Sequence, residues 1–324
     1  MRLNTFFLLA LATPSLALAK PPVVVTDMPV VQSLVVQVMG DLGTASVLLE
    51  QGADVHSFQL KPSQAAEIAK ADLVIWVGHD LTPWLTDTID GIGIKGRSVE
   101  LLDAEGLETR TYGQEHEGEE HAHDHPEHDE TAPGDTAQED AGEEEAPHQH
   151  SGTDPHVWLD PSNAKVWVDA IAAALGSADP DNAATYAANA TTAKTGIDAI
   201  EAEVTATLAP VGDTPIVVYH DAYGYFSAHF GVNIVGEVEL GDASAPSAAK
   251  LADLRATLKA DGAACIFPET QHDPKLLISV TDGIGIRLGA AIDPEGTSLT
   301  YGAGLYGALM TTLATAIADC VTAK

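Results

Sequence analysis

Six histidines lie outside the one strongly acidic segment of this 324-residue chain, and imidazole is a common ligand of transition metals. They are His56, His79, His156, His220, His229 and His272. His220 directly follows a predicted strand at residues 216–219, and Asp293 directly follows another at residues 288–292. Because open parallel sheets bind ligands at the carboxyl ends of their strands, we expect these two side chains to share one rim.

Two of the remaining histidines occupy predicted turns in the first half of the chain. One is His56, and the other is His156, in a turn stiffened by Pro155. Three imidazoles and one carboxylate that face a single cleft match the tetrahedral preference of zinc. The placement therefore predicts a metal ion held by His56, His156, His220 and Asp293. We interpret the other three histidines as structural, because a lone histidine more often serves a hydrogen bond than a metal.

Residues 114–150 have a composition unlike the rest of the chain, with 14 acidic residues, 7 of the 13 histidines and no lysine, arginine or aromatic residue. Such a segment cannot bury enough apolar surface to offset the entropy of ordering it, so we predict a disordered surface loop. Its histidines predict additional, weaker zinc sites. They are His116, His121, His123, His125, His128, His148 and His150. A merely solvated acidic insert is the alternative interpretation.

The rest of the chain alternates short β-branched runs with helical patterns, as parallel sheets with crossover helices do. Strands are predicted at residues 23–26, 73–77, 98–102, 216–219, 234–238, 265–267 and 288–292. Residues 181–208 lack proline and predict one long, stiff helix. We therefore predict an α/β protein of two parallel-sheet α/β lobes joined by a rigid backbone helix, with the metal site in the interlobe cleft. The predicted units are an N-terminal lobe at 20–178, the linking helix at 179–209 and a C-terminal lobe at 210–324.

The first 19 residues have the features of a removed secretory signal. Arg2 supplies the positive charge, an apolar run follows, and small residues stand at Ala17 and Ala19. We predict cleavage after Ala19 and a periplasmic location. The alternative, a buried N-terminal helix, is disfavoured because Pro14 would interrupt it.

The charge of the chain excludes one class of partner, and its cysteine content predicts a covalent cross-link. The chain has 48 acidic and 15 basic residues and a formal net charge of −33, which excludes nucleic acid as a partner. No apolar run beyond the N-terminus reaches the roughly 20 residues that span a bilayer. Export makes a disulfide the first hypothesis for Cys265 and Cys320, with two free buried thiols as the alternative.

Five motifs follow one another in an order typical of one protein family. They are Met28-Pro29 with the helix after it, His56-Ser57-Phe58-Gln59-Leu60-Lys61-Pro62-Ser63, Ala71-Asp72-Leu73-Val74-Ile75-Trp76-Val77-Gly78, Asp154-Pro155-His156-Val157-Trp158-Leu159-Asp160-Pro161, and His220-Asp221-Ala222-Tyr223-Gly224-Tyr225-Phe226. Together they resemble the metal-binding solute-binding proteins of bacterial ABC importers, and most closely their zinc (ZnuA-like) type.

The resemblance implies a function and a ligand set. It implies a monomeric periplasmic protein that binds Zn²⁺ as its transported ligand and delivers it to a membrane permease driven by a cytoplasmic ATPase, without catalysing a reaction. Membrane contact is expected only through that permease. The implied ligands are His56, His156 and His220, with Asp293 or water in the fourth position, because Val55 stands where some zinc-type members carry a glutamate. The resemblance also implies a Cys265–Cys320 disulfide.

Two other functions fit parts of the pattern. Manganese-type importer proteins and metal-dependent adhesins resemble this chain in the same motifs. The manganese type, however, carries a carboxylate where His220 stands, whereas an imidazole at this position favours zinc. A zinc hydrolase is a remote alternative, since three histidines and a water form a catalytic centre in some enzymes. The sequence contains no His-Glu-x-x-His motif and no dedicated general base for such a reaction.

Overall fold

A computed structural model describes residues 20–112, 152–239, 248–260 and 262–323 of the chain. The predicted signal at residues 1–19 and the acidic segment at residues 114–150 lie outside the described residues. The predictions for the seven histidines of that segment therefore stay predictions.

The first half of the chain forms a four-stranded parallel sheet in the order β2-β1-β3-β4. The strands are β1 (Val24–Thr26), β2 (Ala45–Val47), β3 (Leu73–Trp76) and β4 (Arg97–Glu100). The helices of this half are α1 (Pro29–Met39), α2 (Pro62–Ile68), α3 (Pro83–Ile92) and α4 (Pro161–Ala178). Each begins with a proline, whose fixed φ suits the first helical position. The sequence patterns missed β2, α2 and α4; β2 and α2 are too short to show a clear period.

The chain then runs through one long helix, α5 (Ala183–Leu208), as predicted. Its 26 residues span about 39 Å at the usual rise of an α-helix. Helices α1, α4 and the C-terminal helix, α9 (Leu305–Thr322), pack along it. The helix buries one face against these three helices and so contacts both halves of the molecule.

The second half forms another four-stranded parallel sheet, in the order β6-β5-β7-β8. Its strands are β5 (Ile216–His220), β6 (Ile234–Glu239), β7 (Cys265–Ile266) and β8 (Arg287–Leu288). The helices between these strands are α6 (Gly224–Phe230), α7 (Ala248–Ala260) and α8 (Lys275–Thr281). The prediction of two parallel-sheet α/β lobes is thus confirmed.

The last predicted strand, at residues 288–292, is wrong in its extent. β8 ends at Leu288, and Ile292 forms only an isolated parallel bridge with Glu269. Gly289 lies so close to the Phe267 ring that a Cβ there would come within 2.3 Å of it. The strand pairing breaks at this close approach, and the bridge then brings the chain alongside Glu269.

The hydrophobic core is continuous between the two halves. In β1, Val24 faces the main core, while its neighbour Val25 faces a smaller cluster on the other side of the sheet. In β5, Val218 likewise faces the main core and Val217 faces a second small cluster. Such alternation covers both faces of each parallel sheet. Because the main core contains side chains from both sheets and from α1, α4, α5 and α9, the two sheets are held by one packed interior.

The C-terminal helix α9 links the two halves. A disulfide joins its Cys320 to Cys265 of β7, as the exported location and the resemblance predict. In the described part of the chain, α9 is the one helix long and apolar enough to cross a membrane. Its buried side chains Leu305, Leu309 and Leu313 belong to the main core, which is the pattern of a core helix.

Candidate metal centre

Three histidines from separate parts of the chain converge in the structure. His56 lies in the loop between β2 and α2, His156 just before α4, and His220 at the carboxyl end of β5. One potential ligand nitrogen from each lies within 4.8 Å of the other two. The ring centroids are 5.4 to 6.1 Å apart. The structure thus brings together all three histidines that the sequence singled out.

His156 is held by a carboxylate two residues earlier in the chain. The Oδ1 atom of Asp154 lies 2.8 Å from the Nδ1 atom of His156 and also accepts a hydrogen bond of 2.9 Å from its backbone N–H. The side chain is completely buried, and its Nε2 atom has no hydrogen-bond partner among the described residues. A buried polar atom in this state is unfavourable unless a ligand meets it.

His220 has a carboxylate partner of the same kind. Its Nδ1 atom lies 2.8 Å from both carboxylate oxygens of Glu269, which stands just after β7. The Tyr223 hydroxyl donates a hydrogen bond of 2.8 Å to the same carboxylate. Burial, with the charge of Glu269 next in importance, raises the pKa of Tyr223 well above its usual range, so the hydroxyl keeps its proton. The carboxylate that faces His156, Asp154, is not among the residues predicted from the sequence, although its place two residues before that histidine is a local signal.

His56 is positioned by its own loop. The Asp54 carboxylate accepts hydrogen bonds of 2.9 Å from the His56 backbone N–H and the Ser57 hydroxyl. The Trp84 indole donates a hydrogen bond of 3.2 Å to the carbonyl of Val55. These contacts fix the loop on both sides of the histidine.

Asp293 is not part of the three-histidine group. Its Oδ1 atom accepts hydrogen bonds from the Gln271 side chain (2.9 Å) and the Gly296 N–H (2.8 Å). Its Oδ2 atom accepts from the N–H (2.7 Å) and the hydroxyl (2.6 Å) of Ser298. The carboxylate therefore organises the turn that follows it, and its role as a metal ligand stays a prediction.

A second carboxylate in that turn, that of Glu295, lies close to His56. The Oε1 atom of Glu295 lies 4.0 Å from the Nε2 atom of His56, and Asp54, His56 and Glu295 form a second group with potential ligand atoms within 4.8 Å of one another. Burial raises the pKa of the Glu295 carboxyl well above its usual range, and the nearby charges of Asp54 and Asp293 raise it further. Glu295 is not among the residues predicted from the sequence, and its one signal there is its place two residues after Asp293.

The other described histidines make ordinary structural contacts. The Nδ1 atom of the exposed His79 lies 3.3 Å from the Thr86 hydroxyl. His229 pairs with Asp160 at 2.8 Å and with Glu201 at 3.2 Å. His272 stacks on Tyr219 with ring centroids 4.2 Å apart. These three do not belong to the candidate centre.

The site has the chemistry of a zinc centre. Three imidazoles, at least two of them oriented by a carboxylate on the opposite ring nitrogen, are typical ligands of zinc in proteins. Their close spacing leaves room for one ion in contact with all three. Imidazole ligands favour zinc over manganese, which prefers oxygen ligands.

Comparisons with known proteins agree with this chemistry. Residues 24–320 match the model of a protein family described as zinc-uptake complex component A, periplasmic. The chain is 54% identical over 314 residues to the high-affinity zinc uptake system protein ZnuA of Paracoccus denitrificans (strain Pd 1222), covering 96% of each chain. It is 39% identical over 326 residues to the protein of the same name in Brucella abortus (strain 2308), covering 98% of this chain and 97% of that one.

A solved structure supports the fold. The crystal structure of a protein named ZnuA superposes with a TM-score of 0.71 and 21% sequence identity, covering 92% of this chain and 98% of that one. At this identity the likeness establishes the architecture alone.

Proposed function

The chain belongs to the periplasmic zinc-uptake component A family, and on that basis we propose that it captures Zn²⁺ outside the cytoplasmic membrane and delivers it to an ABC importer. The exported protein binds the ion between its two sheets and releases it to a membrane permease driven by a cytoplasmic ATPase. We place the lobes around the ion at residues 20–178 and 210–324, with residues 179–209 as the link between them.

The proposed ligands are the Nε2 atoms of His56, His156 and His220. The observation that carries this assignment is the buried Nε2 atom of His156, which lacks a hydrogen-bond partner among the described residues and belongs to a ring that lies beside the other two. In His156 and His220 the Nδ1 atom already faces a carboxylate, so Nε2 is the nitrogen left to bind a metal.

The proposed activity is transport without catalysis. A hydrolytic zinc centre keeps one coordination position for water and needs a general base beside it. Here the described carboxylates Asp154 and Glu269 face ring nitrogens of the histidines, which suits orientation of ligands. We further propose that the mature protein begins at Lys20, after cleavage at Ala19, and works as a monomer in the periplasm.

Zinc titration calorimetry on residues 20–324 tests the proposal. We expect a tight site with one zinc per chain, and we expect manganese to compete poorly for it. His220→Ala should lower the zinc affinity by at least about 100-fold, because even the loss of a residue that orients a ligand costs about 10- to 100-fold. His79→Ala is the matched control, since His79 is exposed and lies outside the centre. Unchanged zinc affinity in His220→Ala would contradict the proposal.

A further inference from the structure

Residues 293–298 cross from the second sheet to the first lobe and pass beside His56. The Trp158 indole donates a hydrogen bond of 2.9 Å to the carbonyl of Pro294, and the backbone N–H of Gly52 donates one of 2.9 Å to the carbonyl of Thr297. Both donors belong to the first lobe, and Trp158 lies two residues after His156. The segment is therefore fixed on both sides of Glu295.

The conformation of this turn depends on Asp293. Its two carboxylate oxygens accept four hydrogen bonds, three of them from Gly296 and Ser298 within the turn. Gly296 has φ of +76°, and a Cβ at this position would lie 2.9 Å from the side chain of Leu305. A metal that bound Asp293 would have to displace donors that hold the turn. Asp293 is thus better suited to aim Glu295 than to bind the ion itself.

The Glu295 carboxylate is placed differently. The residue is 4% exposed, and among the described residues its Oε2 atom accepts a single, long hydrogen bond of 3.4 Å, from the Val55 N–H. Its Oε1 atom points to His56, at 4.0 Å from Nε2. Burying a carboxylate beside two others is costly unless a cation compensates its charge. A divalent ion among the three imidazoles would supply that charge.

The distance between Glu295 and His56, which belongs to both groups of potential ligands, is compatible with a shared ion. In a tetrahedral zinc site with bonds of about 2.0 to 2.1 Å, two ligand atoms lie about 3.3 Å apart. The Glu295 oxygen and the His56 nitrogen are 4.0 Å apart, so a shift of less than about 1 Å would bring them to that separation. We propose that Glu295 is the fourth zinc ligand and that Asp293 positions the turn that presents it. This inference rests on the proposed zinc-binding function.

Asp54 also lies near His56, but its carboxylate stabilises the loop that carries this histidine. Its oxygens accept from the backbone N–H of His56 and from the hydroxyl of Ser57, and those bonds shape the loop. The ligand set is then three imidazoles and one glutamate, with one unit of the ion's charge neutralised by a buried side chain.

Glu295→Gln and Asp293→Asn, compared in the mature protein, separate the two roles. Zinc affinity is measured by competition with a chromophoric chelator, and the ligand set by the visible absorption of the Co²⁺-loaded protein. We expect Glu295→Gln to lower zinc affinity by at least about tenfold and to change the Co²⁺ spectrum. Asp293→Asn should keep the wild-type spectrum at saturating Co²⁺, because its carboxylate does not contact the ion.

Folding is followed separately by thermal unfolding of the metal-free proteins. Glu295→Gln should be at least as stable as the wild type without metal, because it removes a buried acidic group, and should gain less stability from added zinc. The role of Glu295 is refuted if Glu295→Gln leaves the zinc affinity and the Co²⁺ spectrum unchanged. The proposed function still stands in that case if the wild type binds zinc tightly and His220→Ala abolishes this binding. If Asp293→Asn alters the spectrum and Glu295→Gln does not, Asp293 is the ligand.

Discussion

The Nδ1 atom of His220 and the Glu269 carboxylate face each other at 2.8 Å across the ends of two neighbouring strands, β5 and β7. Because a carboxylate only accepts hydrogen bonds, this contact places the ring proton on Nδ1 and leaves the Nε2 lone pair for a metal. The Tyr223 hydroxyl donates to the same carboxylate and restrains its orientation. The imidazole is therefore oriented before any ion arrives.

Glu269→Gln should weaken zinc binding about 10- to 100-fold, because the neutral amide makes the ring less basic and fixes it less firmly. Competition with a chromophoric chelator measures the affinity. Tyr223→Phe is the matched control: it removes a hydrogen bond to Glu269 but keeps the carboxylate against His220, so its effect should be smaller. Equal zinc affinity in Glu269→Gln and the wild type would show that the contact is only structural.

Asp154→Asn should also weaken zinc binding, by about tenfold or more, because one Asp154 oxygen holds both the ring and the backbone N–H of His156. The same titration measures it. Asp80→Asn is the control, since it makes the same change of charge at an exposed position in the first lobe. If both variants lose affinity equally, the effect comes from overall charge and not from the orientation of His156.

The sequence predicted the parts of the site that follow from strand topology. His220 and Glu269 each stand at or just beyond the end of a β-branched run, and parallel pairing of those runs brings them together. In the structure the Glu269 carboxylate meets the Nδ1 atom of His220 at this point. The long helix was equally predictable, because its composition lacks proline over more than 20 residues.

The sequence could not predict which carboxylate of the turn after Ile292 faces the histidines. Asp293 and Glu295 are two residues apart, and their directions depend on hydrogen bonds from Gln271, Trp158 and Gly52, which come from distant parts of the chain. Asp293, which directly follows the predicted strand, was therefore the predicted ligand. The early end of β8 has a similar cause, since it depends on the close approach of Gly289 to Phe267.

Removal of residues 114–150 should leave one tight zinc site and abolish only additional, weaker ones. The flanking residues allow a clean deletion, because the Tyr112 N–H donates a hydrogen bond of 3.2 Å to the Gly152 carbonyl and Thr111 bridges to Thr153. A short Gly-Ser linker can join residues 113 and 151. Calorimetry measures the stoichiometry and the affinity of each class of site.

A second variant separates the imidazoles of this segment from its carboxylates. Changing its seven histidines to glutamine keeps the length and the negative charge. This variant should lose the weaker zinc sites as the deletion does. Loss of the tight site in either variant would move the primary ligands into residues 114–150 and contradict the assignment to His56, His156 and His220.

Asp27 is a fully buried carboxyl directly after β1 and is not one of the proposed metal ligands. It accepts hydrogen bonds from the backbone N–H groups of Val77 (2.9 Å) and Met28 (2.8 Å). Burial nevertheless raises its pKa to about 7, because removal from water disfavours the charged form more than these donors favour it. The folded protein therefore holds a proton at Asp27 that the unfolded chain releases near pH 4.

The contribution of Asp27 to the free energy of unfolding of the metal-free protein should consequently fall as the pH rises. Because its folded-state pKa is raised, Asp27 contributes fully to the free energy of unfolding below about pH 4. This contribution is lost as the pH approaches 7, and the total loss is on the order of 4 kcal/mol. Urea unfolding at several pH values should show that the stability advantage of the wild type over Asp27→Asn shrinks across this range. Asp72→Asn is the control of opposite sign, because the Val23 N–H and Lys95 lower the Asp72 pKa, so any advantage from Asp72 is lost as the pH falls. A difference between wild type and Asp27→Asn that stays constant from pH 4 to pH 8 would show that this carboxyl does not titrate in the folded protein.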